Sequence, residues 1–168
     1  LPGLELSISD ESGQLLDTGG ALLHAAPLLE GGGDILVHNV DVLTDLSLTD
    51  LLDDHQRSDA LVTLAVRDRQ SGRYLLFNDR SQLVGWKDMR QEKSLWSDGP
   101  VEEVSALAFS GVQVISKRLL ELLPRRQRFA IIPEYISLAR QHTLRSFVHN
   151  AGFWMDLGRP EDLRQAES

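Results

Sequence analysis

The stretch that most limits what this chain can fold into is a triple glycine followed by a short apolar run ending in an acid. Gly31-Gly32-Gly33 breaks any helix, and Asp34-Ile35-Leu36-Val37-His38-Asn39-Val40-Asp41-Val42-Leu43 follows. The β-prone residues 35–39 are the length of one buried strand, which stops in polar residues and delivers Asp41 just past its end. In an open α/β sheet, ligands bind in the crevice beyond the carboxyl ends of the strands. A carboxylate there can hold a hard divalent cation against a phosphate. Taken alone, these residues fit a turn-capping Asp better, so Asp41 needs a partner from elsewhere in the chain.

The rest of the sequence alternates strands with helices. Leu4, Leu6 and Ile8 alternate with Glu5, Ser7 and Ser9, which predicts a strand closed by the turn Asp10-Glu11-Ser12-Gly13. A helix is expected over 21–29, with Pro27 near its end, and another over 47–55, with Ser47 as N-cap and Asp50 three residues on. The uncharged run 60–66 suits a central strand covered on both faces. Residues 73–77 and 82–86 read as a hairpin about Asn78-Asp79-Arg80-Ser81, and the polar segment 87–103 as a loop or insertion. A strand over 106–116, interrupted by Ser110-Gly111, precedes helices over 117–123 and 131–141. A strand over 143–148 and the segment 152–158 close the sheet region, and Pro160 suits the first turn of a last helix. Interleaved strands and helices predict an α/β fold with a mixed sheet, as one domain over residues 1–168.

Composition excludes several classes. The chain has no Cys, which removes disulfide scaffolds, thiolate zinc sites and a Cys nucleophile, and fits a reducing cytoplasm. A net charge of −8 argues against nucleic acid as a partner, because such binding relies on a Lys/Arg surface. No apolar run approaches the roughly 18 residues of a membrane span, so no membrane partner is expected. His24, His55, His142 and His149 show no metal-ligand spacing, and His38 is read as a strand residue packed on a helix.

Three short patterns can carry chemistry. Asp17-Thr18-Gly19-Gly20 lies between a strand and a helix, where paired glycines let backbone amides approach a base or phosphate. Asp41 is the second. Trp154-Met155-Asp156-Leu157-Gly158-Arg159-Pro160 is the third, with an acid at a strand end ahead of a helix. Each has a plain alternative, a simple connection or a capping acid. If both strand ends share one edge of the sheet, Asp41 and Asp156 can bracket a single Mg²⁺. Asp45, four residues after Asp41, is the rival second ligand and ranks lower, because a helix already begins beside it.

In order and spacing, the segments 15–21, 35–41, 108–112 and 154–163 resemble the sugar-1-phosphate nucleotidyltransferases. The resemblance is nearest to the mannose-1-phosphate guanylyltransferase and N-acetylmuramate-1-phosphate uridylyltransferase branch. It implies a Rossmann-like, three-layer α/β/α fold of the nucleotide-diphospho-sugar transferase type, with a mixed, mostly parallel sheet. It also implies Mg²⁺-dependent attack of a sugar 1-phosphate on a nucleoside triphosphate, giving a nucleotide sugar and pyrophosphate. Asp41 and Asp156 would be the catalytic metal ligands. Thr18, Gly19, Gly20 and Asn39 would line the nucleotide, and Ser110 and Gly111 the sugar. The motifs leave the base, the sugar and the oligomeric state open.

The family's opening Gly-rich segment (G-x-G-x-R-x-x-P) has no match in residues 1–11, so the chain is expected to be an N-terminally incomplete domain, inactive by itself. Lys87 lacks the surroundings of a sugar-phosphate lysine and is expected not to serve as one; Glu134 reads as a surface residue of its helix. The alternative is a non-catalytic nucleotide- or sugar-binding regulatory module of the same fold. A weaker one is a glycosyltransferase using Asp41 to Asp45 as its metal motif.

Overall fold

The computed structural model describes residues 5–29 and 31–158. In chain order the elements are α1 (Asp17–Ala25), a 3-10 turn (Ala26–Leu28), β1 (Ile35–His38), β2 (Val42–Thr44), α2 (Leu48–Ser58), β3 (Val62–Arg67), β4 (Arg73–Phe77) and β5 (Leu83–Asp88). They continue with β6 (Lys93–Trp96), β7 (Ser105–Ile115), α3 (Arg118–Leu122), α4 (Ile131–Leu138), β8 (Leu144–Val148) and β9 (Trp154–Asp156).

β7 is the organising strand. It pairs with β3 over 108–115, with β4 over 105–107, and with β1, in the register Ile35↔Ile115 to His38↔Val112. The main sheet runs β6-β5-β4-β7-β3-β8, with β1 also on β7, while β2 and β9 form a separate two-stranded ribbon. The sheet is mixed as expected, but among the described residues its parallel majority is not found: β3–β8 is the parallel pair there, and the other pairings are antiparallel. The reason is local. β7 runs against every strand it touches, and β4, β5 and β6 form a meander whose short turns permit antiparallel pairing only.

Alternation along β3 builds the expected three layers. Val62, Leu64 and Val66 pack with Leu119 of α3, Tyr135 and Ile136 of α4, and Leu22 and Leu23 of α1. Ala65, with Val112 and Val114 of β7, turns to the other face against Leu51 and Leu52 of α2. Helix α2 starts as the sequence implies, with Ser47 Oγ accepting from Asp50 N at 3.2 Å. It presents Leu51 and His55, one turn apart, to the sheet. Helix α1 begins four residues earlier than expected, at Asp17, and gives way to the 3-10 turn around Pro27.

Two other expectations are corrected. The alternating segment at 5–8 forms no strand: it finds no partner, and Leu6 and Ile8 are 81% and 79% exposed. The segment 87–103 is not all loop, because 93–96 pair with β5 as strand β6 (Gly85↔Trp96, Asp88↔Lys93). The helix expected from residue 159 lies outside the described residues.

Candidate functional site

The ribbon of β2 and β9 assembles the site. At the end of β1, Asn39 N donates to Gly111 O at 2.8 Å and Val42 N to Asn39 O at 3.2 Å, so the chain turns and β2 leaves the main sheet. β2 then pairs with β9, placing Val42 opposite Asp156, and Leu157 N donates to Asp41 O at 2.7 Å. Asp41 and Asp156 are therefore side by side, although 114 residues separate them in the chain. A Cβ added at Gly158 would lie 3.0 Å from Asp156 Oδ1 and 3.2 Å from Asp41 Oδ2, so both carboxylates flank one small space. Gly158 N donates to Asp156 Oδ1 at 2.9 Å, and both acids are exposed.

Two carboxylates facing one space form an all-oxygen donor set, which suits a hard divalent cation. Among the described residues no third His, Asp or Glu joins them to complete a metal cage. A cation held there would keep positions for phosphate oxygens and water. Asp45 faces elsewhere: its Oδ1 accepts from Phe153 N at 2.7 Å, and its carboxylate presses on Gly152, whose φ is +81°. It braces the turn leading into β9.

Ser110 and Gly111 form the buried wall beside the acids. Gly111 has φ +77°, and a Cβ there would meet Val42 Cγ2 at 2.7 Å and Asn39 Nδ2 at 3.2 Å, so β7 passes this point only as glycine. Ser110 O accepts from Trp154 Nε1 at 2.9 Å, and Ser110 Oγ lies 2.8 Å from His149 Nε2. Burial pushes the His149 imidazole down to about 4, with the Arg67 guanidinium adding to the effect and Asp45 opposing it. His149 is thus neutral at pH 7, and its Nδ1 is buried without a partner.

The Thr-Gly-Gly segment belongs to a different contact set. Gly19 N and Gly20 N donate to Phe129 O at 2.9 and 3.4 Å, and Thr18 Oγ1 accepts from Ile131 N at 3.0 Å. A Cβ on Gly19 would collide with the Phe129 ring, and one on Gly20 with Gln127 O. Both glycines are buried, leaving Thr18 exposed at a cleft of about 380 Å³ lined also by Trp86, Asp88, Ile132 and Pro133. Asn39 lies against Gly111, with the Asp41 group. Lys87 sits on β5 opposite Tyr74 and Ser94, away from the acids, and Glu134 pairs with Arg126. His38 Nδ1 is 2.8 Å from Asn39 O.

Sequence reasoning passed over Arg69. Its guanidinium stacks on Trp154 at 4.1 Å from the ring centroid, and Nη2 donates to Phe109 O at 3.1 Å. Burial lowers its pKa from the ordinary arginine range, while Asp156 and Tyr74 oppose that shift. The signal was Arg67-Asp68-Arg69, paired arginines where an uncharged strand ends.

No family model matches the chain. It is 27% identical over 164 residues to a mannose-1-phosphate guanyltransferase of Pichia angusta, a match covering 96% of this chain and 43% of that protein. Its fold superposes with TM-score 0.67 and 13% identity on a Bacillus anthracis chain assigned as a glucose-1-phosphate thymidylyltransferase, in complex with a sucrose. The chain resembles the sugar-1-phosphate nucleotidyltransferases and has their fold. The superposition covers 90% of this chain and 59% of that structure, so the chain spans under two thirds of either relative. Among the described residues, no helix is long and apolar enough to cross a membrane.

Proposed function

We propose that the intact protein transfers a nucleotidyl group from a nucleoside triphosphate to a sugar 1-phosphate, with Mg²⁺, releasing pyrophosphate in the cytoplasm. The observation that supports this most is the convergence of Asp41 and Asp156 on the space beside Gly158, brought about by the β2–β9 pairing. Phosphoryl-type transfer needs positioning and charge neutralisation more than a nucleophilic side chain, and two exposed carboxylates at strand ends fit that requirement. Mg²⁺ bound there would draw phosphate oxygens into place and offset their charge.

The protein's own residues would do the rest. Asp41, whose backbone oxygen accepts from Leu157 N, and Asp156, whose Oδ1 accepts from Gly158 N, would hold the cation. Ser110 and Gly111 form the wall on which the sugar would rest, kept close by the absent Cβ at Gly111. Asn39 shapes the corner between that wall and Asp41. Thr18 is the exposed member of the nucleoside segment, with Gly19 and Gly20 holding the helix start close to 127–129.

Pyrophosphate release by the intact protein, given Mg²⁺, each nucleoside triphosphate and a panel of sugar 1-phosphates, tests the reading. Turnover with one pair, abolished by EDTA, is expected. No pyrophosphate with any pair, together with retained binding of a nucleotide or sugar, would instead establish the non-catalytic module.

A further inference from the structure

We infer that Arg69 binds the phosphate of the acceptor, a sugar 1-phosphate, at the Asp156 end of the site; the identity of that acceptor rests on the function proposed above. Nη2 of Arg69 donates to Phe109 O, the residue before Ser110-Gly111, and the ring under the guanidinium, Trp154, donates to Ser110 O at 2.9 Å. The cation therefore sits at the Ser110 wall, two residues along β9 from Asp156, and the Asp156 charge acts on it.

Its partners leave it incomplete. Nη1 donates to Gln70 O at 3.3 Å, Nε is buried with no partner, and no Asp or Glu forms an ion pair with it among the described residues. Holding a half-buried guanidinium without a counter-ion is costly, and the stack on Trp154 offsets part of that cost while fixing the plane of the fork. Nη1 and Nη2 each keep one further N–H, and in a plane held in advance this pair can take two phosphate oxygens. Two acids facing one space would repel a phosphate unless positive charge stands on its other side. Arg69 supplies such charge from the protein itself.

The rival explanation is a brace: Arg69 merely ties β7 to Trp154. The two differ in what they do to ligands. Quenching of tryptophan emission in the intact protein is titrated with mannose 1-phosphate, inorganic phosphate and mannose, alongside thermal unfolding. For Arg69→Gln, mannose 1-phosphate and inorganic phosphate should bind about 10- to 100-fold more weakly, with mannose binding unchanged. Arg69→Lys keeps the stem and the charge but not the fork; it should fall between, and it serves if the Gln variant does not fold. A brace would lower the unfolding temperature and weaken the phosphorylated and free sugar equally, which overturns the inference. So does a wild-type protein that shows no phosphate-dependent quenching. If the wild type binds phosphate through Arg69 but releases no pyrophosphate with any substrate pair, the phosphate site stands and the proposed reaction falls.

Discussion

At the scale of single residues, the candidate acids and glycines could be singled out in the sequence, and the buried or half-buried groups beside them could not. Asp41 and Asp156 stand out because each follows a short apolar run. His149 and Arg69 do not, because burial and contacts give them their character, and neither is set by neighbours in the chain. For His149 this has a measurable consequence. Its folded pKa, about 4, lies below the ordinary histidine value of 6.5, so the unfolded chain binds its proton more tightly. The stability it contributes is complete above pH 6.5 and is lost as the pH falls toward 4. His55, lowered by burial against the pull of Asp34, acts in the same direction. Between pH 6.5 and 4.5 the unfolding free energy of His149→Gln, from denaturant titration, should therefore fall by about 2 kcal/mol less than that of wild type. An identical pH response in the two proteins would contradict the assignment.

At the scale of elements, the well-patterned pieces were legible and the short ones were not. Ser47 and the capped start of α2 could be read directly, and Ser47→Ala should cost about 1 kcal/mol in chemical denaturation. The ribbon of β2 and β9 could not, because each strand has three residues and their partners lie far apart in sequence. Alternation at 5–8 misled for the opposite reason: a pattern with period two predicts a strand only where another strand accepts it. Gly19 and Gly20, expected to line the nucleotide, also pack against 127–129, a contact no local pattern announces. Gly111 combines φ +77° with a filled Cβ position against Val42. Gly111→Ala should destabilise by about 2 to 3 kcal/mol and displace β2, weakening Mg²⁺ binding together with stability. Loss of stability with unchanged metal affinity would show that β2 is not held through this contact.

At the scale of the whole molecule, class and layering followed from the order of the elements, while strand direction did not. A chain whose strands alternate with helices suggests parallel crossovers, but β7 reverses that for every strand beside it. The consequence for function is that β1 and β3 end beside residues 108–112 in the middle of β7, near the ribbon outside the main sheet that carries the acids. Asp41 and Asp156 are proposed to hold one cation between them. The most direct measurement is pyrophosphate release by the intact protein as Mg²⁺ is titrated, for Asp41→Ala, Asp156→Ala and the double variant. If one ion is shared, each single change should cost at least about a hundredfold, and the double change little more than either alone. Losses that multiply, or a single variant with the turnover and Mg²⁺ dependence of wild type, would contradict it.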